Sequence, residues 1–195
     1  MLAYIALLAF VVFMVGTPGP ANLVVMIAGA KNGLRRSIGF IFGLISGKIL
    51  LNLFIGFGFG VVLAVSPEWQ TGFSYCSAAF MVYLALRSWP KDNARHDSPS
   101  LAQHFRFWDG IFVHPLNPKA WVMSALAWSE FAPALGSFWV QLPVVVLTFA
   151  ICQLALHSLW CWMGEVMGRS LSNNARVTRL MISATVVTVL VVILL

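Results

Sequence analysis

The amino-acid sequence predicts an all-α membrane protein of six transmembrane helices, built as two inverted three-helix repeats with both termini outside. Three observations predict it. The chain has 195 residues, 60% of them hydrophobic and 9% charged, with a mean hydropathy of +0.88. Soluble domains run at about 45–50% apolar and about 25% charged. No soluble core of this length hides so much apolar surface, so the bilayer is the solvent. Basic residues collect in alternate connections between apolar runs, as membrane topology requires. Finally, two runs about half a chain apart are interrupted by prolines, which points to a transporter binding site where two repeats meet.

A helix needs about 20 mostly apolar residues to cross the hydrocarbon core. Span one is expected over 2–27, span two over 37–65, span three over 69–89, span four over 108–131, span five over 137–168 and span six over 177–195. Span one lacks the basic start of a signal peptide, and prolines stand where a cleavage site would follow, so it is expected to be retained. Span two carries Gly39, Gly43 and Gly47 at four-residue intervals, which lets helices approach closely. The approach is either within one protomer, favoured because the glycines flank an intramembrane charge, or across a homodimer. A polar linker over 90–107 divides the single membrane domain, 1–195, into halves of 1–89 and 108–195.

The connections orient the chain. Lys31, Arg35 and Arg36 lie between spans one and two, Lys91, Arg95 and Arg106 between three and four, and Arg169, Arg176 and Arg179 between five and six. The other two connections, 66–69 and 130–137, hold no Lys or Arg. The basic connections are therefore cytoplasmic. Three spans per half give the halves opposite polarity, which makes span one the counterpart of span four.

Those two spans are the broken ones. Gly16-Thr17-Pro18-Gly19-Pro20 interrupts the first, and His114-Pro115-Leu116-Asn117-Pro118-Lys119 the second. Proline inside a helix costs about 3 kcal/mol, and freed carbonyls in lipid must find partners in a cavity or a packed neighbour. The helix restarting after Pro20 offers free amides and a positive dipole end to an anion, and Gly19 permits close backbone approach. Asn22 supplies a hydrogen-bonding amide. The alternative is a kink that only packs against span four.

Intramembrane ionisable groups are functional candidates by default. Lys48 lies in the middle of span two, with Asn52 one turn on; it is read as a positive site for a substrate carboxylate or as a lysine tied to a helix-end carbonyl. Lys119 reaches either substrate or the carbonyls freed by Pro115 and Pro118. His114 precedes the second break, and Gln153, His157, Cys161 and Glu165 form a four-residue stripe on span five. His114, His157, Asp109 and Glu165 are candidates for carrying protons, the histidines because imidazole titrates near neutral pH. One helix with so sparse a donor set makes no metal site, and no metal or cofactor is expected. The net charge of +6 reflects topology and does not imply nucleic acid. Cys76, Cys152 and Cys161 are read as small apolar residues within spans. No phosphate-binding Gly-x-x-x-x-Gly-Lys-Ser/Thr loop occurs, nor does any arrangement of catalytic side chains, so no enzyme is expected.

Thr17-Pro18-Gly19-Pro20-Ala21-Asn22 and Asn117-Pro118-Lys119-Ala120, on a chain of this length and span number, resemble the LysE/RhtB family of amino-acid exporters. The resemblance covers essentially the whole chain. It implies multi-pass insertion in the bacterial inner membrane and efflux of amino acids or close derivatives, driven by proton antiport. It also implies that Thr17, Pro18, Gly19, Pro20, Asn22, Asn117, Pro118 and Lys119 form the substrate site. Many members of the family have an acidic residue where this chain has Lys48. A lysine there repels a cationic side chain, so small neutral substrates of the homoserine, threonine or cysteine kind are expected over lysine and arginine. The competing reading is an uncoupled, channel-like or non-transporting membrane protein.

Overall fold

A computed structural model of the chain describes residues 1–59, 67–87, 105–170 and 175–194, and these residues are helices joined by short turns. The end of span two over 60–65 and most of the linker lie outside them. In chain order the helices are α1 (Leu2–Gly16), α2 (Pro20–Gly56), α3 (Pro67–Arg87), α4 (Phe107–Ile111), α5 (Pro118–Leu126), α6 (Phe138–Ser170) and α7 (Ala175–Leu194).

The first expected span is two helices. α1 stops at Gly16 because Pro18 and Pro20 bring no N–H to its last carbonyls. Side chains take over: Thr17 Oγ1 donates to Met14 O (3.0 Å), and Asn22 Nδ2 donates to Val15 O (2.8 Å) and Thr17 O (2.9 Å). Pro20 then opens α2 at the position where a missing N–H costs nothing.

α2 runs through the expected first cytoplasmic connection into span two, with only Gly33 outside helical geometry (φ 74°, ψ 162°). Only glycine adopts that φ readily. The bend is held by Leu34 N donating to Glu165 Oε2 (2.8 Å) and Ser37 Oγ donating to Gly33 O (2.9 Å). A one-residue bend thus replaces the connection expected over 28–36.

The fourth expected span is also divided. α4 ends at Ile111, a turn covers 112–116, and Asn117 caps α5 by accepting Lys119 N on Oδ1 (3.1 Å). The expected loop after Glu130 is instead a π turn over Ala127–Phe131 followed by a 3-10 turn over Ala132–Leu135. Pro133 has no N–H to continue the α ladder.

Close packing sets how these pieces stack. A Cβ on Gly43 would sit 2.1 Å from Phe107 O, one on Gly47 2.1 Å from Ile111 O, and one on Gly110 2.3 Å from Phe40 O. These glycines therefore serve contact between α2 and α4 within one protomer, while Gly39 faces nothing within 4 Å. Gly164 lies on Met26 and Gly168 on Ala30, so the first part of α2 and the end of α6 run in the same direction. α3 packs mainly on α7, and α7 also packs on α2.

The interior is layered by polarity. One apolar cluster contains Val24, Ile27, Phe40, Leu44, Val113 and Cys161; the other contains Leu7, Val11, Leu51, Met123, Phe149 and Cys152. Between them on α2 lies Lys48, on the α4–α5 stretch His114 and Asn117, and on α6 Gln153 and His157, all buried. The outward faces are apolar, with Phe13, Leu147, Ile151, Trp139 and Trp162 exposed. Among the described residues two helices, Pro20–Gly56 and Phe138–Arg169, are long and apolar enough to cross a bilayer. Apolar residues outside and a polar layer inside are the arrangement of a membrane protein.

Candidate functional site

The polar layer borders a small, partly open cavity lined by Gly19, Asn22, His114, Asn117, Lys119, Gln153 and His157, with Met14, Val15, Ala21 and Met123 as its apolar walls. Its room is about 20 Å³, enough for about one water molecule. The two broken segments meet here. Lys119 Nζ donates to Thr17 Oγ1 at 2.7 Å and to Thr17 O at 3.1 Å.

Each break arranges its own polarity. The carbonyl end of α1 gathers Asn22 Nδ2 and the Lys119 ammonium, as a helix C-terminus attracts positive charge. Gly19 and Asn117, the N-caps of α2 and α5, both line the cavity, so two helix N-termini also face it. Carbonyl oxygens that favour a cation and helix N-termini that favour an anion thus stand side by side. Both amide protons of Asn22 are engaged, which leaves its Oδ1 as the acceptor it offers.

Lys119 does not serve the carbonyls of its own break. Trp121 Nε1 takes Pro115 O at 2.7 Å, and this frees Lys119 to cross to α1. Pro18, Pro20 and Pro118 shape the backbone and do not line the cavity; Pro20 and Pro118 are the first residues of α2 and α5.

Lys48 does not line the cavity. It is 0% exposed; its Nζ donates to Ala120 O (2.8 Å) and Ser124 Oγ (2.7 Å) and stands 4.3 Å from the Phe149 ring centroid. Both oxygen partners lie inside α5, Ala120 in its first turn and Ser124 one turn further on. A buried ammonium needs such partners, and α5, which starts at Pro118, supplies a carbonyl and a hydroxyl within its reach.

The proton candidates separate into two groups. His114 and His157 lie in the cavity with rings stacked at 5.4 Å. Gln153 Nε2 stands 3.1 Å from His114 Nε2, and neither Nδ1 has a hydrogen-bond partner. Asp109 and Glu165 are elsewhere. Asp109 pairs with Arg87 (2.8 Å) and accepts Arg106 N (2.8 Å); Glu165 pairs with Arg169 and caps Leu34. Both close connections between helices and do not line the cavity.

Gln153 is the polar wall that the motifs did not single out. Its signal was the four-residue stripe on α6, of which Gln153 and His157 face the cavity while Cys161 joins the apolar cluster. The apolar walls carried no signal, since Met14 or Met123 looks like any other residue of an apolar run.

A family model described as LysE type translocator matches residues 12–194. The chain belongs to that family. Both breaks and every residue lining the cavity fall inside the matched range. This LysE type translocator thereby belongs among transporters of amino acids or related compounds. No solved structure matches the translocator.

Proposed function

We propose that this translocator exports small neutral amino acids or their derivatives from the bacterial cytoplasm in exchange for protons. The chain would cross the inner membrane six times, with both termini outside and its halves related as inverted repeats. The observation that carries the reading is the Lys119–Thr17 contact between the two breaks (2.7 Å). It sets a cation, the carbonyl end of α1 and the N-termini of α2 and α5 around one cavity.

A zwitterion fits this arrangement. Its carboxylate takes the Lys119 ammonium and the helix N-termini. Its ammonium takes Thr17 O and Asn22 Oδ1, displacing Lys119 from α1. Cationic Lys119 in the cavity, with cationic Lys48 behind it, disfavours a second positive charge on the substrate. That selects neutral side chains over lysine and arginine. A cavity of about 20 Å³ holds no amino acid, so α1 and α5 must part for loading.

Proton exchange is assigned to the histidine pair. A neutral imidazole has one N–H and one acceptor nitrogen, and the protonated ring has two donors. Protonated His114 no longer accepts Gln153 Nε2–H; rotating the Gln153 amide presents its unpartnered Oε1 instead. Loading a substrate ammonium beside a protonated histidine pair is costly, so proton and substrate alternate.

Inside-out vesicles test this. With an acidic lumen, radiolabelled neutral amino acids should enter saturably and basic ones should not. Uptake that survives collapse of the pH gradient removes the antiport. Flux without saturation by any amino acid favours the uncoupled alternative.

A further inference from the structure

Next to the cavity, three polar atoms on the facing sides of α2 and the α5–π-turn stretch are buried without partners: Asn52 Nδ2, Asn52 Oδ1 and Trp128 Nε1. Buried amide and indole groups normally find partners, and leaving them unpaired is costly. Asn52 is 0% exposed. It lies midway between Lys48, which is bonded to Ser124 Oγ (2.7 Å), and Gly56, whose Cα faces the Trp128 ring (2.4 Å from an added Cβ to Cζ2). Residues four apart share a helix face, so Lys48, Asn52 and Gly56 form one lane opposite Ser124 and Trp128.

The lane begins at the cavity wall. Ser124 follows the lining residue Met123, and Phe149, under the Lys48 ammonium, lies one turn before the lining residue Gln153. It ends under aromatic rings: Trp128 stacks on Phe138 (6.2 Å) and Phe138 meets Phe57 (5.5 Å). Trp128 sits in the π turn over Ala127–Phe131, a distortion common at functional places in helices.

We propose that this lane is a second substrate station on the exit path, binding the carboxylate of the departing amino acid. The inference rests on the transport reading above. Lys48 supplies the charge, while the Asn52 amide and Trp128 indole supply N–H donors that stay unpaired while the helices are closed. Parting of α2 from α5 beneath the Phe57–Phe138–Trp128 rings admits the carboxylate to these donors. Lys48 thus acts on the substrate after it leaves the Thr17–Lys119 cavity.

The test uses the full chain in cells, with Cys76, Cys152 and Cys161 replaced by Ser and one new thiol added. An anionic, membrane-impermeant methanethiosulfonate is applied from outside. Asn52→Cys should react at least tenfold faster than lipid-facing Leu50→Cys, and faster with the anionic reagent than with its cationic counterpart. Asn52→Leu and Trp128→Phe, in chains that extract as a single species, should slow net efflux about tenfold while substrate binding to the closed-side cavity changes less than twofold. Equal reactivity of Asn52→Cys and Leu50→Cys, or a preference for the cationic reagent, overturns the station. So does wild-type efflux by Asn52→Leu. Labelling as expected, in a protein that moves no amino acid, overturns the transport reading and leaves an anion site without its substrate.

Discussion

Replacing Lys119 with Met removes the contact that joins the two breaks while keeping most of the side chain's volume. The structure sets the size of the effect. Lys119 Nζ makes two hydrogen bonds, to Thr17 Oγ1 and Thr17 O. Neither group is left without a partner: Thr17 O still accepts from Asn22 Nδ2 (2.9 Å), and the Thr17 hydroxyl still donates to Met14 O (3.0 Å). The stability cost therefore falls near the low end for a charged hydrogen bond, about 1.5 kcal/mol. Substrate binding loses more. A carboxylate deprived of an ammonium partner gives up about 1.5–3 kcal/mol, or about 10- to 150-fold in affinity. Lys119→Met should thus raise the KM for uptake into inside-out vesicles by that factor, with only a small fall in thermal stability in detergent. Lys119→Arg should restore it only in part, because a planar guanidinium fork does not reproduce the single ammonium position that bonds both Thr17 O and Thr17 Oγ1. A KM within twofold of wild type, in protein reconstituted at equal density, would refute the assignment of Lys119 to the substrate carboxylate.

Other substitutions probe the remaining parts. Gly110→Ala places a methyl 2.3 Å from Phe40 O and should lower stability by about 1–3 kcal/mol. Gly39→Ala, with nothing within 4 Å, should leave it unchanged or slightly raised; thermal scans of the two variants check the contrast. Asn22→Leu strips Val15 O of its 2.8 Å side-chain donor, at about 1–3 kcal/mol, and should reduce the folded yield in the membrane. Glu165→Gln retains an acceptor for Leu34 N and should transport with normal gradient dependence, whereas Glu165→Ala loses the cap and about 0.5–2 kcal/mol. Loss of gradient dependence in Glu165→Gln would return that carboxylate to the proton pathway. His157→Gln should bind substrate yet fail to concentrate it when a pH gradient is imposed, measured by comparing equilibrium binding with driven uptake.

Much of this architecture was legible in the linear chain, for identifiable reasons. Composition alone demands a membrane, since 60% hydrophobic residues have no other solvent. Proline's missing N–H marks both breaks with no knowledge of their neighbours, and the polar residues of the interior announce themselves in apolar runs. Helix ends were less legible. Gly33 turns the chain within a helix at a φ of 74°, and the bend is held by the bond from the next residue, Leu34, to Glu165, 131 positions away; no local pattern encodes such a partner.

The tertiary structure decided which partners each polar residue has. Lys48 and Lys119 look alike in sequence, each a lone cation in an apolar run. Packing gives Lys48 a carbonyl and a hydroxyl on α5 and places it behind the cavity. It gives Trp121 the carbonyl that Lys119 would otherwise have taken, and so sends Lys119 across to Thr17. The sequence by itself determined that the chain is a membrane protein, where its helices break and which residues are costly to bury. Only the fold could assign partners, because a hydrogen bond acts within about 3 Å and sequence spacing places residues on a helix face without saying what that face meets.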